Sequence, residues 1–162
     1  MKTVNIGELA VGNDLPLTLI AGPCQLESAE PAQMIAGRLK EACKAVGAQF
    51  IFKASFDKAN RTSLSGKRGL GIDEGLKVLA GVKDALALPV LTDVHTPEQC
   101  AVVADVVDVL QIPALLCKQT DLLLAAGKTG AVINIKKGQF RAPWDIPNII
   151  PKIESTGNTG IL

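Results

Sequence analysis

Five short apolar runs, separated by segments of helical period, constrain this chain more than any other feature. The runs Leu17–Gly22, Gln49–Ala54, Pro89–Val94, Val106–Ile112 and Ala131–Ile135 are rich in Val, Ile and Leu, and a sixth begins at Gly160–Leu162. They are continuous rather than alternating, the pattern of strands buried on both faces. Between them, Ala29–Val46, Ile72–Leu86, Pro97–Ala104, Thr120–Gly127 and Trp144–Thr156 repeat with helical period. Regular strand–helix alternation predicts a parallel sheet. Gly47 closes the first helix, Thr96-Pro97 opens the third, and Gly127 and Gly130 frame the exit of the fourth. Ahead of these units, Thr3–Val11 followed by Gly12-Asn13-Asp14 reads as a β-hairpin.

Parallel sheets of this kind are either open and doubly wound or closed into a barrel. The turn after the first strand lacks G-x-G-x-x-G, which disfavours a dinucleotide-binding open sheet. Every strand instead ends in polar or special residues: Gly22-Pro23-Cys24, Lys53-Ala54-Ser55, Asp93-Val94-His95, Gln111-Ile112-Pro113 and Lys136-Lys137. Function spread over all strand ends is a barrel habit. The expectation is an α/β parallel (β/α)8 TIM barrel with an N-terminal β-hairpin, of which residues 1–162 cover about the first five-and-a-half β/α units as one partial domain. No repeat, low-complexity segment or linker divides it.

Composition narrows the partners. Seventeen Lys and Arg nearly balance 16 Asp and Glu, for a net charge of +1, so no global field favours nucleic acid or an anionic membrane. Aromatic content of 3% with no Tyr argues against base-stacking surfaces. No apolar run approaches the roughly 20 residues that span a bilayer. Four widely spaced cysteines without a signal peptide fit a reducing cytoplasm, where a disulfide framework is not expected.

Local chemistry gathers just after the second strand. Lys53-Ala-Ser55-Phe-Asp-Lys58-Ala-Asn60-Arg61-Thr62-Ser63 combines two lysines, the fork of an arginine and several hydroxyls, a set suited to a phosphate monoester. A solvated basic loop is the plainer reading, but a Lys that ends an apolar strand needs an anionic partner, and Lys53 favours phosphate. Lys136 repeats the situation at the fifth strand, whereas Lys137 reads as a surface residue. Asp93 and His95, two residues apart, share a side of the chain. They serve equally well as proton-exchanging groups or as a structural pair. Cys43, Cys100 and Cys117 fall in helical or helix-adjacent patterns and read as apolar fillers. Cys24 alone stands at a strand end, and by itself it too reads as structural.

Taken together, these residues resemble the 3-deoxy-D-manno-octulosonate 8-phosphate synthases over essentially the whole chain. The matching stretches are Ala21-Gly-Pro-Cys24 with Glu27-Ser28, Phe52–Ser63, Thr92-Asp-Val-His95, Asp105–Pro113 and Lys128–Lys137. The resemblance implies a barrel transferase that condenses phosphoenolpyruvate with D-arabinose 5-phosphate, releases phosphate and serves lipopolysaccharide synthesis. It implies phosphoenolpyruvate ligands at Lys53 and Lys136. Asn60, Arg61 and Thr62, with Lys58 and Ser55 beside them, correspond to the arabinose 5-phosphate site. Asp93, His95 and Gln111 correspond to the reacting centre, and Lys58 and Asn60 join Asp93 and His95 as catalytic candidates. Cys at position 24 marks the metal-dependent type, implying zinc, iron or manganese, with the other ligands on strands outside these 162 residues. Lys118 stands where the family usually has an Arg that reaches a neighbouring subunit, and Leu64–Leu70 departs from the usual loop. A cytoplasmic homotetramer is implied, and the 162-residue piece alone is expected to be inactive. The alternatives are the related 3-deoxy-D-arabino-heptulosonate 7-phosphate synthase, whose motif is shorter than Lys58-Ala-Asn-Arg-Thr, and a non-catalytic phosphate-binding partial barrel.

Overall fold

The computed structural model describes residues 2–162 and resolves into two compact units, residues 2–92 and Asp93–Leu162. Strands β1 (Val4–Ile6) and β2 (Leu9–Val11) pair antiparallel as the N-terminal hairpin. Its turn is Gly7-Glu8, with Gly7 at φ 56°. Glycine occupies this left-handed position without a Cβ clash. A second turn follows at Gly12-Asn13-Asp14, where the Leu15 amide donates to the Gly12 carbonyl at 3.2 Å. The remaining strands are β3 (Thr18–Ala21), β4 (Gln49–Lys53), β5 (Val90–Asp93), β6 (Val109–Ile112) and β7 (Val132–Ile135), which form a five-stranded sheet in sequence order. β3 pairs with β4, β4 with β5 and β6 with β7, each in parallel, and together with the intervening helices they fit a partial α/β barrel.

In the first unit, α1 (Ala29–Ala45) follows β3 and α2 (Ile72–Leu86) follows β4, and the two helices pack on each other. The register sets Thr18 against Gln49 and Ala21 against Phe52. Ile51, Phe52, Ala54 and Phe56, and Leu79 and Val82 of α2, are completely or almost completely buried. The helix ends are tied across: Lys40 Nζ of α1 donates to the Leu86 carbonyl at 2.5 Å, meeting one of the acceptors left over at the end of α2. Ala87 then turns the chain at φ 48°, ψ 53°, a left-handed cap without glycine. β3 departs from the expectation of burial on both faces. It stands at the end of the strand order and leaves Leu19 39% exposed, because an end strand has a neighbour on one side only.

In the second unit, α3 (Pro97–Ala104) packs on α4 (Thr120–Lys128), and α4 packs on α5 (Ile150–Glu154). β6 begins at Val109 rather than Val106, because the Val106 and Val107 amides are used on the Val103 carbonyl as α3 unwinds. Gly127 lies in the last turn of α4, where a Cβ would come within 2.6 Å of Thr156 Oγ1, and Gly130 follows at φ 77°, so the two glycines frame the helix exit. The segment expected as one helix over Trp144–Thr156 is a 3-10 turn at Pro143–Asn148 followed by α5. Pro147 and Pro151 each lack the N–H that a continuous helix requires. At Gly160–Leu162, where a further strand is expected, Ile161 makes an isolated parallel bridge to Ile133, and the Ile135 amide donates to the Leu162 carbonyl at 3.0 Å. No helix among the described residues is long and apolar enough to cross a membrane.

The end of α2 provides a test of this packing. Ala87→Gly is expected to raise stability by about 0.5 kcal/mol, since relief of left-handed strain slightly exceeds the added unfolded-state entropy. Lys40→Met is expected to lower stability by about 1 kcal/mol through the lost bond to the Leu86 carbonyl. Urea midpoints at constant m-value measure both.

Candidate functional site

The first unit builds a basic loop on the carboxyl ends of β3 and β4. Gly22 closes β3, and a Cβ there would overlap the Lys53 carbonyl oxygen, so the two strand ends meet only because position 22 has no side chain. Pairing continues past the strands: Gln25 bridges Ser55, and the Leu26 amide donates to the Ser55 carbonyl at 2.9 Å. Ser55 is fully buried, and its Oγ accepts from Lys58 Nζ at 2.7 Å, so its hydroxyl holds the lysine in place.

The following loop is folded on itself. The Lys58 amide donates to the Arg68 carbonyl at 2.6 Å, and the Gly71 amide donates to the Phe56 carbonyl at 3.1 Å. Gly69, at φ 122°, sits where a Cβ would strike the Phe56 carbonyl. Residues 57–68 carry Lys58, Arg61, Lys67 and Arg68 against the single carboxylate Asp57. Arg68 embraces that carboxylate through both Nε, at 2.8 Å, and Nη2. The loop therefore keeps a net positive charge for a ligand. Arg61 donates from Nε to the Lys67 carbonyl at 2.9 Å and from Nη2 to Gln25 Oε1. Asn60, Arg61 and Thr62 are exposed, and Lys53 is half-buried at its strand end. Arg61 borders a cavity of about 330 Å³ with Cys24, Gln25 and Glu27.

The second unit holds the remaining candidates. Asp93, 6% exposed, lies 3.0 Å from His95 Nε2, and the His95 amide donates to Gln99 Oε1 at 2.8 Å. The pair that sequence spacing put on one side is thus in direct contact. Gln111 stands opposite Asn134 in the β6–β7 register, and its Oε1 accepts from Asn134 Nδ2 at 3.1 Å. The Lys136 amide continues that ladder to the Ile112 carbonyl at 3.1 Å, leaving an exposed side chain. Lys137 closes its own loop by donating to the Gly138 and Arg141 carbonyls at 2.9 and 2.8 Å. Lys118 is exposed and borders a cavity of about 210 Å³ with Arg141, Asp145 and Lys152.

The first unit therefore gathers Cys24, Ser55, Lys58 and Arg61 around the β3 and β4 ends, and the second gathers Asp93 with His95 and Gln111 with Asn134. Sequence reading missed Gln25, Asn134 and the Asp57–Arg68 pair. Only Asn134 carried a usable signal, since parallel register sets residues at matching strand positions side by side. Among the described residues no three His, Cys, Asp or Glu side chains converge as a metal would require. Cys24 by itself does not make a metal site.

A partial parallel barrel whose polar residues stand at the carboxyl ends of its strands defines a class of α/β proteins. Residues 2–162 match the DAHP synthetase I family, and the chain belongs to that family. It is 60% identical over 159 residues to a 2-dehydro-3-deoxyphosphooctonate aldolase of Chelativorans sp., covering 98% of this chain. Proteins of the same name from Brucella anthropi and Brucella ovis are 56% identical over 161 residues. The chain spans 58% of the length of these curated relatives.

The thiols divide as their surroundings dictate. Cys43, Cys100 and Cys117 are buried and Cys24 is exposed. Burial, assisted by the charge of Glu98, pushes the Cys100 thiol up to about 11 from 9.0. A disulfide reagent at pH 8 is expected to titrate Cys24 in the native protein and Cys100 only after unfolding. A raised thiol pKa means that the neutral form is favoured in the fold. The associated stability is present below pH 9 and is lost as pH rises through about 11. Urea midpoints are accordingly expected to fall over that window, and to fall less in Cys100→Ser.

Proposed function

We propose that the protein to which this chain belongs acts as a 3-deoxy-D-manno-octulosonate 8-phosphate synthase, joining phosphoenolpyruvate to D-arabinose 5-phosphate. The observation that carries this reading is the 56–60% identity to proteins named 2-dehydro-3-deoxyphosphooctonate aldolase. The cationic loop of residues 57–68 supports it. Its long Lys58-Ala-Asn-Arg-Thr motif favours the five-carbon sugar over the four-carbon substrate of the 7-phosphate synthase.

In the proposed reaction, the enol carbon of phosphoenolpyruvate attacks the aldehyde carbon of the sugar and a carbon–carbon bond forms. Water adds at the carbon that bears phosphate, the carbon–oxygen bond to phosphate breaks, and inorganic phosphate leaves. Positive charge develops at that carbon, so positioning and fixed charge carry the catalysis. Lys53 and Lys136 are assigned to phosphoenolpyruvate, and Asn60, Arg61 and Thr62, with Lys58, to the sugar phosphate. Ser55 supports Lys58. Asp93, His95 and Gln111 are assigned to the reacting centre, where the Asp93 carboxylate orients the His95 ring. Lys118 is assigned to a neighbouring subunit's site in a cytoplasmic homotetramer. The route served is lipopolysaccharide synthesis.

Zinc, iron or manganese belongs to the proposal with Cys24 as the one ligand assigned in this chain. The donor set described here does not hold a metal by itself, so no step is derived through it.

Phosphate release measured with D-arabinose 5-phosphate and with D-erythrose 4-phosphate tests the assignment in the longer protein. A clear preference for the five-carbon sugar is expected, and a preference for erythrose 4-phosphate would transfer the assignment to the 7-phosphate synthase. Arg61→Ala is expected to lower kcat/KM for the sugar by about 100-fold, the loss of one bidentate charge-assisted contact. The 162-residue chain alone is expected to show negligible turnover.

A further inference from the structure

Arg61 is gripped through two of its three guanidinium nitrogens. In a guanidinium, Nε–H and one Nη2–H point along the same long edge, while the other Nη2–H and an Nη1–H form the end fork. The Lys67 carbonyl takes the Nε hydrogen and Gln25 Oε1 takes one of the two Nη2 hydrogens. Nη1 and the second Nη2 hydrogen remain to donate to the oxygens of a phosphate.

Gln25 is well fixed for this task. Its backbone bridges Ser55, the next amide is bonded to the Ser55 carbonyl, and its Cγ lies where a Cβ on Gly69 would come within 3.4 Å. It borders the cavity shared with Cys24 and Arg61 and also a second one, of about 270 Å³, shared with Lys67 and Arg68. The side chain is a neutral acceptor. A carboxylate in the same place would cancel the charge of Arg61, and an apolar side chain would release the guanidinium.

We propose that Gln25 is a positioning residue that aims the remaining donors of Arg61 at the phosphate of the sugar substrate. The proposal rests on the reading of Arg61 as a phosphate ligand, and Gln25 acts only through it.

Calorimetric titration of the chain with D-arabinose 5-phosphate, and separately with phosphoenolpyruvate, tests it. Gln25→Met, which keeps length and removes the acceptor, is expected to weaken arabinose 5-phosphate binding about tenfold, the scale of one hydrogen bond to a charged group. Its phosphoenolpyruvate affinity should stay within about twofold, and the Gln25→Met/Arg61→Ala double variant should bind no more weakly than Arg61→Ala alone. Unchanged binding in Gln25→Met, additive losses in the double variant, or a parallel loss of phosphoenolpyruvate affinity would overturn the role of Gln25. If Arg61→Ala binds as tightly as the unsubstituted chain, or the unsubstituted chain binds no arabinose 5-phosphate, the phosphate site itself fails and the role of Gln25 with it.

Discussion

The parallel ladder between β3 and β4 governs the candidate site of the first unit. Its register brings Gly22 against the Lys53 carbonyl and then carries Gln25 onto Ser55, beyond the last regular strand residues. A slip of one residue would turn every side chain to the other face. Lys58, Arg61 and Cys24 all depend on that register, because the loop that bears the cations is anchored at Phe56 and Gly71. The strand ends thus act as a rigid base, and the loop supplies the chemistry.

The second unit uses the same device with less chain. Parallel pairing of β6 with β7 sets Gln111 beside Asn134, and a period of two sets Asp93 beside His95. Both pairs are neighbouring polar groups linked by hydrogen bonds, where burial would otherwise be costly. Lys137 shows the same economy, since its ammonium closes the chain reversal after β7 through two carbonyls.

Much of this was legible in the sequence because continuous apolar runs and helical periods are strong signals. α2 and α3 begin and end where periodicity placed them, at Ile72–Leu86 and Pro97–Ala104. The failures share a cause, which is that local composition was overruled by backbone hydrogen bonding. Val106 looks like strand, yet its amide finishes a helix. In the site, residue types at strand ends flagged Lys53, Arg61, Asp93 and His95. Gln25 escaped because a glutamine four residues beyond a strand has no chemical signature until a partner 36 positions away is seen against it.

The grip on Arg61 also has a thermal meaning. A free arginine side chain samples many rotamers, and freezing one on binding costs about 0.5–1.5 kcal/mol of entropy. Here the Lys67 carbonyl and Gln25 restrain that motion as the loop folds, before any anion arrives. Ordering is moved from the encounter to the folding of the protein. The exposed loop is thereby less mobile than its composition implies, and an arriving phosphate meets a guanidinium with little left to lose.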